Sequence, residues 1–208
     1  MIVFPVLLFL FLVLLLPLVI TGFTLDIVQV AVVKLGFAPQ LAVLLLVAIV
    51  IGSAINIPLY QREIQPAGMP WLMESARRRT LVALNVGGGL IPIILAIYQL
   101  TRGHILAILT TTAIVTLISY FSAEIVPGNG IRMNAMVAPL TAVICAWLLG
   151  ADAAPQVAFA GGILGTLIGA DLLHLREVEH LASGILSIGG AGVFDGIALC
   201  GLFALLLA

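Results

Sequence analysis

The sequence predicts an all-α fold, a polytopic transmembrane helical bundle of about seven spans, each near 20 apolar residues. Three observations carry that prediction. Of the 208 residues, 63% are hydrophobic and 8% charged. Mean hydropathy is +1.32. Long apolar runs alternate with short polar breaks throughout, as expected of segments that must satisfy their backbone internally in lipid. No stretch has the composition of a soluble domain, so residues 1–208 read as a single integral membrane domain whose first partner is the lipid bilayer. A formal net charge of -1 excludes a nucleic-acid partner, which needs a basic stripe. Cys145 and Cys200 both fall in apolar runs and read as small packing residues rather than a disulfide framework.

The run 2–20 lacks a basic leader and a small-residue cleavage site, so it reads as a first span interrupted near Pro17 rather than a signal peptide. Residues 21–36 carry Asp26 and Lys34 and read as a short interfacial or re-entrant helix. Clear apolar runs follow at 37–60, 81–100, 105–125, 133–149, 154–175 and 184–208. The longest polar break, 61–80, contains Pro66, Gly68 and Pro70 and predicts a short hairpin-like loop on the membrane surface. It also contains Arg62, Arg77, Arg78 and Arg79. When loops are alternated, Arg132 and Arg176 fall on that side, and only Lys34 and Arg102 fall opposite. The positive-inside rule makes that loop and the N-terminus cytoplasmic and puts the C-terminus outside.

Asp171 and Asp195 lie within the last two runs. A carboxylate at the centre of a spanning helix costs about 2.5–3.5 kcal/mol, so two of them need a common reason. Counted from a helical hairpin near 181–183, they sit about 16 Å and about 19 Å along their helices, level to within a turn. On the sixth run Gly161, Gly165 and Gly169 recur every four residues, a stripe along which a neighbouring helix can approach closely. Asp171 projects about 200° around the helix from Gly169, toward a cavity it would share with His174.

Three glycine-dense breaks supply the rest of that cavity. They are Asn85 with Gly87 and Gly88, Gly128 and Gly130 leading to Asn134, and Gly189, Gly190 and Gly192 ahead of Asp195. Glycine at such places permits close backbone approach or local unwinding. Asp171, His174, Glu177 and His180 recur every three residues, but successive steps carry them around the helix, so no metal site and no cofactor is expected.

The phrases NVGGGLIP at 85–92, PGNGI at 127–131, GTLIGADLLHL at 165–175 and SIGGAGVFDGI at 187–197 resemble the prokaryotic membrane proteins grouped as domain of unknown function 1614. That resemblance covers most of the chain and implies a prokaryotic inner or plasma membrane, with no activity attached. A looser resemblance is to intramembrane aspartyl proteases of the presenilin and prepilin-peptidase kind. It implies Asp171 as the first catalytic aspartate and Asp195 as the second, although the chain reads Gly192-Val193-Phe194-Asp195 where those proteases have Gly-x-Gly-Asp. Two carboxylates sharing one proton would then activate water against a membrane-embedded peptide substrate. The same residues suit a proton- or cation-coupled transporter moving a small ion or solute. A non-catalytic membrane scaffold is the third reading.

Overall fold

The structure, a computed structural model, describes residues 3–64, 78–102, 104–126, 130–181, 184–190 and 196–208. The chain divides into two compact units, residues 1–47 and 48–208.

The first unit is dominated by α1, Val3–Lys34, a single helix of 32 residues with Pro17 inside it. The expected interruption at Pro17 and the separate helix over 21–36 are therefore corrected. Proline removes one helical hydrogen bond, and side chains near it bond back to the helix: Thr21 Oγ1 donates to the Pro17 carbonyl and Thr24 Oγ1 to the Ile20 carbonyl, both at 2.8 Å. The 20 residues Leu15–Lys34 are long and apolar enough to cross a bilayer.

Helix α2, Leu41–Ser53, leads into the second unit. There the chain departs from an all-α bundle. Strand β1, Asn56–Ile64, pairs antiparallel with β2, Arg78–Asn85, and β2 pairs in parallel with β5, Gly184–Ile188. The predicted hairpin is thus present at its two strands, although the turn signals at 66–70 fall outside the described residues. Pro58 cannot continue a helix. The glycines after β2 and β5 each cost a helix about 1 kcal/mol relative to alanine; those after β2 lie in a π-helical turn, Val86–Leu90, that runs on into α3, Ile91–Leu100, while Gly189 and Gly190 lie in a turn ahead of α8, Gly196–Leu207.

The runs 81–100 and 184–208, expected as full spans, each begin as a strand, and the α-helices that follow have 10 and 12 residues. At about 1.5 Å per residue even the whole helical segment Val86–Leu100, with its π-helical turn, falls short of a roughly 30 Å hydrocarbon layer. Among the described residues three helical segments are long and apolar enough to cross: Leu15–Lys34, Ile105–Ser122 and Ala151–Leu172.

The second unit is built around α6, Ala154–Thr166, which packs against α3, α4 (Ile105–Ser122), α5 (Val137–Leu149) and α8. Its glycine stripe faces α4. A Cβ on Gly161 would lie 2.5 Å from Thr111 Cγ2, and one on Gly165 2.5 Å from Val115 Cβ. On another face Gly162 meets Cys200 and Ala142. Past Thr166 the helix widens into a π-helical turn, Leu167–Leu172, and the chain continues as the short helix α7, Leu175–Leu181, into β5. A two-stranded ladder of β3, Glu124–Val126, and β4, Gly130–Arg132, lies beside α7.

Candidate functional site

The strongest structural signal is a repeated arrangement. Each of two neighbouring parallel strands runs into glycines and then into a short apolar helix: β2 into Gly87-Gly88-Gly89 and α3, β5 into Gly189-Gly190 and, beyond residue 195, α8. The ladder pairs Thr80 with Gly184 through to Leu84 with Ile188, which brings the two glycine breaks alongside one another. Gly189 has a φ of +68°, and a Cβ there would lie 2.6 Å from Gly89 N and 2.7 Å from its Cα. Gly87 faces the end of α2, where a Cβ would overlap the Ile49 carbonyl oxygen. Here the glycines serve close backbone approach, with backbone atoms that cannot swing aside.

Asn85 fastens this junction. It is fully buried. Its Oδ1 accepts from Gly88 N–H at 2.8 Å, at the start of a π-helical turn over Val86–Leu90. Its Nδ2 donates to the Ser53 carbonyl at 2.8 Å and to Asn56 Oδ1 at 3.2 Å. Ser187 Oγ donates to the same Asn56 Oδ1 at 2.6 Å. The amide of Asn85 is therefore committed to holding α2, β1 and the first glycine break together, while Asn56 extends the network to β5. Asn56 and Ser187 were not singled out as site residues from sequence; the signal available for Asn56 is an amide inside the apolar run AINIPLY.

A second cluster stands at the end of α6. His174 is buried, and its Nδ1 lies 3.1 Å from both the Gly169 and Ala170 carbonyl oxygens. Both partners accept, so Nδ1 carries a hydrogen, and in the neutral ring the lone pair belongs to Nε2. The ring stacks on Tyr120 of α4, centroids 4.7 Å apart. Tyr120 in turn lines an open, mostly apolar groove of about 580 Å³ between α4 and the π-helical turn. Asp171 belongs to that turn and is partly buried. It is the last residue but one of the 22-residue segment Ala151–Leu172, which is long and apolar enough to cross a bilayer. The count back from 181 assumed unbroken helix, whereas a turn at 173–174 separates the π-helical turn from α7. A carboxylate at a helix end reaches the interface far more cheaply than one at mid-bilayer.

The remaining predicted residues divide in two. Asp195, Gly128 and Gly192 lie outside the described residues. Gly130 and Asn134 belong to neither cluster as described. Gly130 opens β4 with a φ of +90° and open space around it, and Asn134 is exposed, its Oδ1 accepting from Met136 N–H at 3.0 Å ahead of α5. Gly190, exposed, closes a turn onto the Ser187 carbonyl at 3.1 Å. Among the described residues no three His, Cys, Asp or Glu side chains gather as a metal ion would require.

No curated protein and no solved structure matches the chain. A family profile described as "Protein of unknown function (DUF1614)" matches residues 50–207, which takes in both strand–glycine–helix segments and the Asp171–His174 turn. By that match the chain belongs to the DUF1614 family of proteins of unknown function.

Proposed function

We propose that this protein is a membrane carrier that moves a small polar solute or ion, coupled to protons or cations. The observation that carries the reading is the pair of glycine-interrupted segments set side by side, each ending in a helix too short to cross. Interrupted apolar segments in corresponding positions are the usual pointer to a carrier's binding site, because unwound backbone inside protein offers N–H and C=O groups to cargo. Asp171 and His174, on one turn at the end of α6, supply titratable groups for coupling, and Asp195, next in sequence to α8, supplies another. The arginine-bearing elements β1, β2, β4 and α7 face the cytoplasm of a prokaryotic cell by the positive-inside rule.

The test uses purified protein in liposomes loaded with a pH-sensitive dye, under an imposed membrane potential, with amino acids and small carboxylates offered outside. Protein-dependent, solute-stimulated proton or sodium flux that falls at least tenfold in Asp171→Asn is the expected result. Absence of flux together with cleavage of a labelled transmembrane peptide, lost in Asp171→Asn and Asp195→Asn, would replace the carrier with an aspartyl protease. Neither activity would leave a scaffold.

A further inference from the structure

We infer that the groove along α4 holds one phospholipid, its acyl chain lying against the helix and its headgroup, a phosphate carrying a primary ammonium, seated among charged side chains at the helix end. The groove runs along α4 from Leu109 to Tyr120, and Ile168 and Leu173, in and just past the π-helical turn, form its other wall. Leu109 and Leu173 are about half exposed. The hydroxyl of Thr112 is bonded within its own helix, donating to the Ile108 carbonyl at 2.8 Å, so the lining presents mainly carbon.

Length selects the occupant. At about 1.5 Å per residue the stretch 109–120 is about 16 Å long, close to one leaflet, half of the roughly 30 Å hydrocarbon layer. A neighbouring transmembrane helix runs the full layer, whereas an acyl chain runs half of it. Helix α4 has 18 residues and ends at Ser122, which puts the Tyr120 end of the groove at the edge of the layer, where tyrosine is favoured. Stacking on His174 fixes the Tyr120 ring. Among the described residues its hydroxyl makes no hydrogen bond, which leaves it for an ester or phosphate oxygen.

Charge at that end fits a zwitterion. Glu124 and Arg132 are register partners in the ladder of β3 and β4, and Arg176 and Glu177 are consecutive on α7, which packs beside β4. All four are exposed, and among the described residues none of their side chains forms an ion pair or hydrogen bond. Asp171, on the same turn as Ile168, adds a carboxylate. Guanidinium groups suit the phosphate, while the carboxylates suit the ammonium and disfavour a purely anionic headgroup.

The lipid site goes beyond the carrier reading and does not depend on it; absence of solute flux leaves the groove as it is. The full chain, purified in mild detergent, is offered phosphatidylethanolamine, phosphatidylcholine or phosphatidylglycerol of matched chains and weighed intact by native mass spectrometry. One phosphatidylethanolamine per chain is expected, held at least tenfold more tightly than the other two. Arg132→Ala and Arg176→Ala should each weaken it about fivefold, Arg102→Ala, at the other end of α4, should leave it unchanged, and Ala113→Trp, on the exposed wall of the groove, should abolish it. Equal retention of the three lipids, retention unchanged in Ala113→Trp, or the same loss in Arg102→Ala marks ordinary surrounding lipid and overturns the site. A protein dimer that Ala113→Trp breaks puts a second copy in the groove instead. If Ala113→Trp does not fold, the exposed arginine variants decide the matter.

Discussion

Glycine does opposite work in two regions of the second unit. Along α6 it recurs every fourth residue, and Gly161 and Gly165 bring in the Thr111 and Val115 side chains of a continuous helix. The interface is a close-packed seam, and it tolerates imperfection: the fully buried hydroxyls of Thr111 and Ser119 have no hydrogen-bond partner among the described residues. At the strand ends glycines are consecutive, Gly189 takes a positive φ, and what comes close is backbone. Here the buried amide of Asn85 spends both of its polar atoms on fixed partners. Spaced glycines close a seam between intact helices, whereas clustered glycines at the strand ends sit in a π-helical turn or a plain turn, and polar groups fasten the junction.

That contrast is open to attack by substitution. The largest effect is expected at Gly189→Ala, where a left-handed backbone and an immovable neighbour add to about 3 kcal/mol or more of destabilisation, read by thermal unfolding in detergent. Next comes Asn85→Ala, which strands the Gly88 N–H and the Ser53 carbonyl. It should cost about 1–3 kcal/mol and raise hydrogen exchange at the junction before it does so in α4 or α6. The seam should respond with the opposite sign: Thr111→Val keeps the shape and removes an unpaired hydroxyl, a stabilisation of about 1 kcal/mol in the same unfolding assay.

The smallest effect separates the regions by pH. Burial, the hydrogen bond to Glu179 and that residue's charge push the Tyr60 hydroxyl above its ordinary pKa, with Arg62 pulling the other way. Stabilisation by the protonated phenol is therefore fully present below the ordinary tyrosine value of about 10 and is lost only as pH rises through the raised value. Exchange in α7, which carries Glu179, should accelerate in that alkaline window while the seam, which presents threonine, valine and glycine, stays unchanged; acceleration beginning below pH 9 would contradict the direction of the shift.

How far the sequence carried the account follows from the same physics. The Gly161–Gly165–Gly169 stripe was legible because its period is that of a helix face, and the hairpin because Pro and Gly punctuate it. Strands β2 and β5 were not, since TLVAL and GILSI are short apolar runs whose periodicity does not distinguish a buried strand from a helix segment. The continuity of α1 through Pro17 was not legible, because a proline inside an apolar run reads as a break although a long helix can forgo one hydrogen bond and continue. Of the site, Asn85, Gly87, Gly88 and Gly189 were legible as an interruption but not as partners, because the pairing joins segments about a hundred residues apart. Tyr60, Arg62 and Glu179 read as interfacial charge and boundary polarity, since nothing local tells of a carboxylate buried by a distant strand.

The parallel pairing of the two interrupted segments is the claim on which the rest depends, and disulfide trapping tests it directly. Leu84→Cys with Ile188→Cys, and Thr80→Cys with Gly184→Cys, are register partners and should cross-link readily under mild oxidation in native membranes. Cross-linking instead between Leu84→Cys and Gly184→Cys would reverse the strand direction, and no cross-link in either register would return both segments to separate membrane helices.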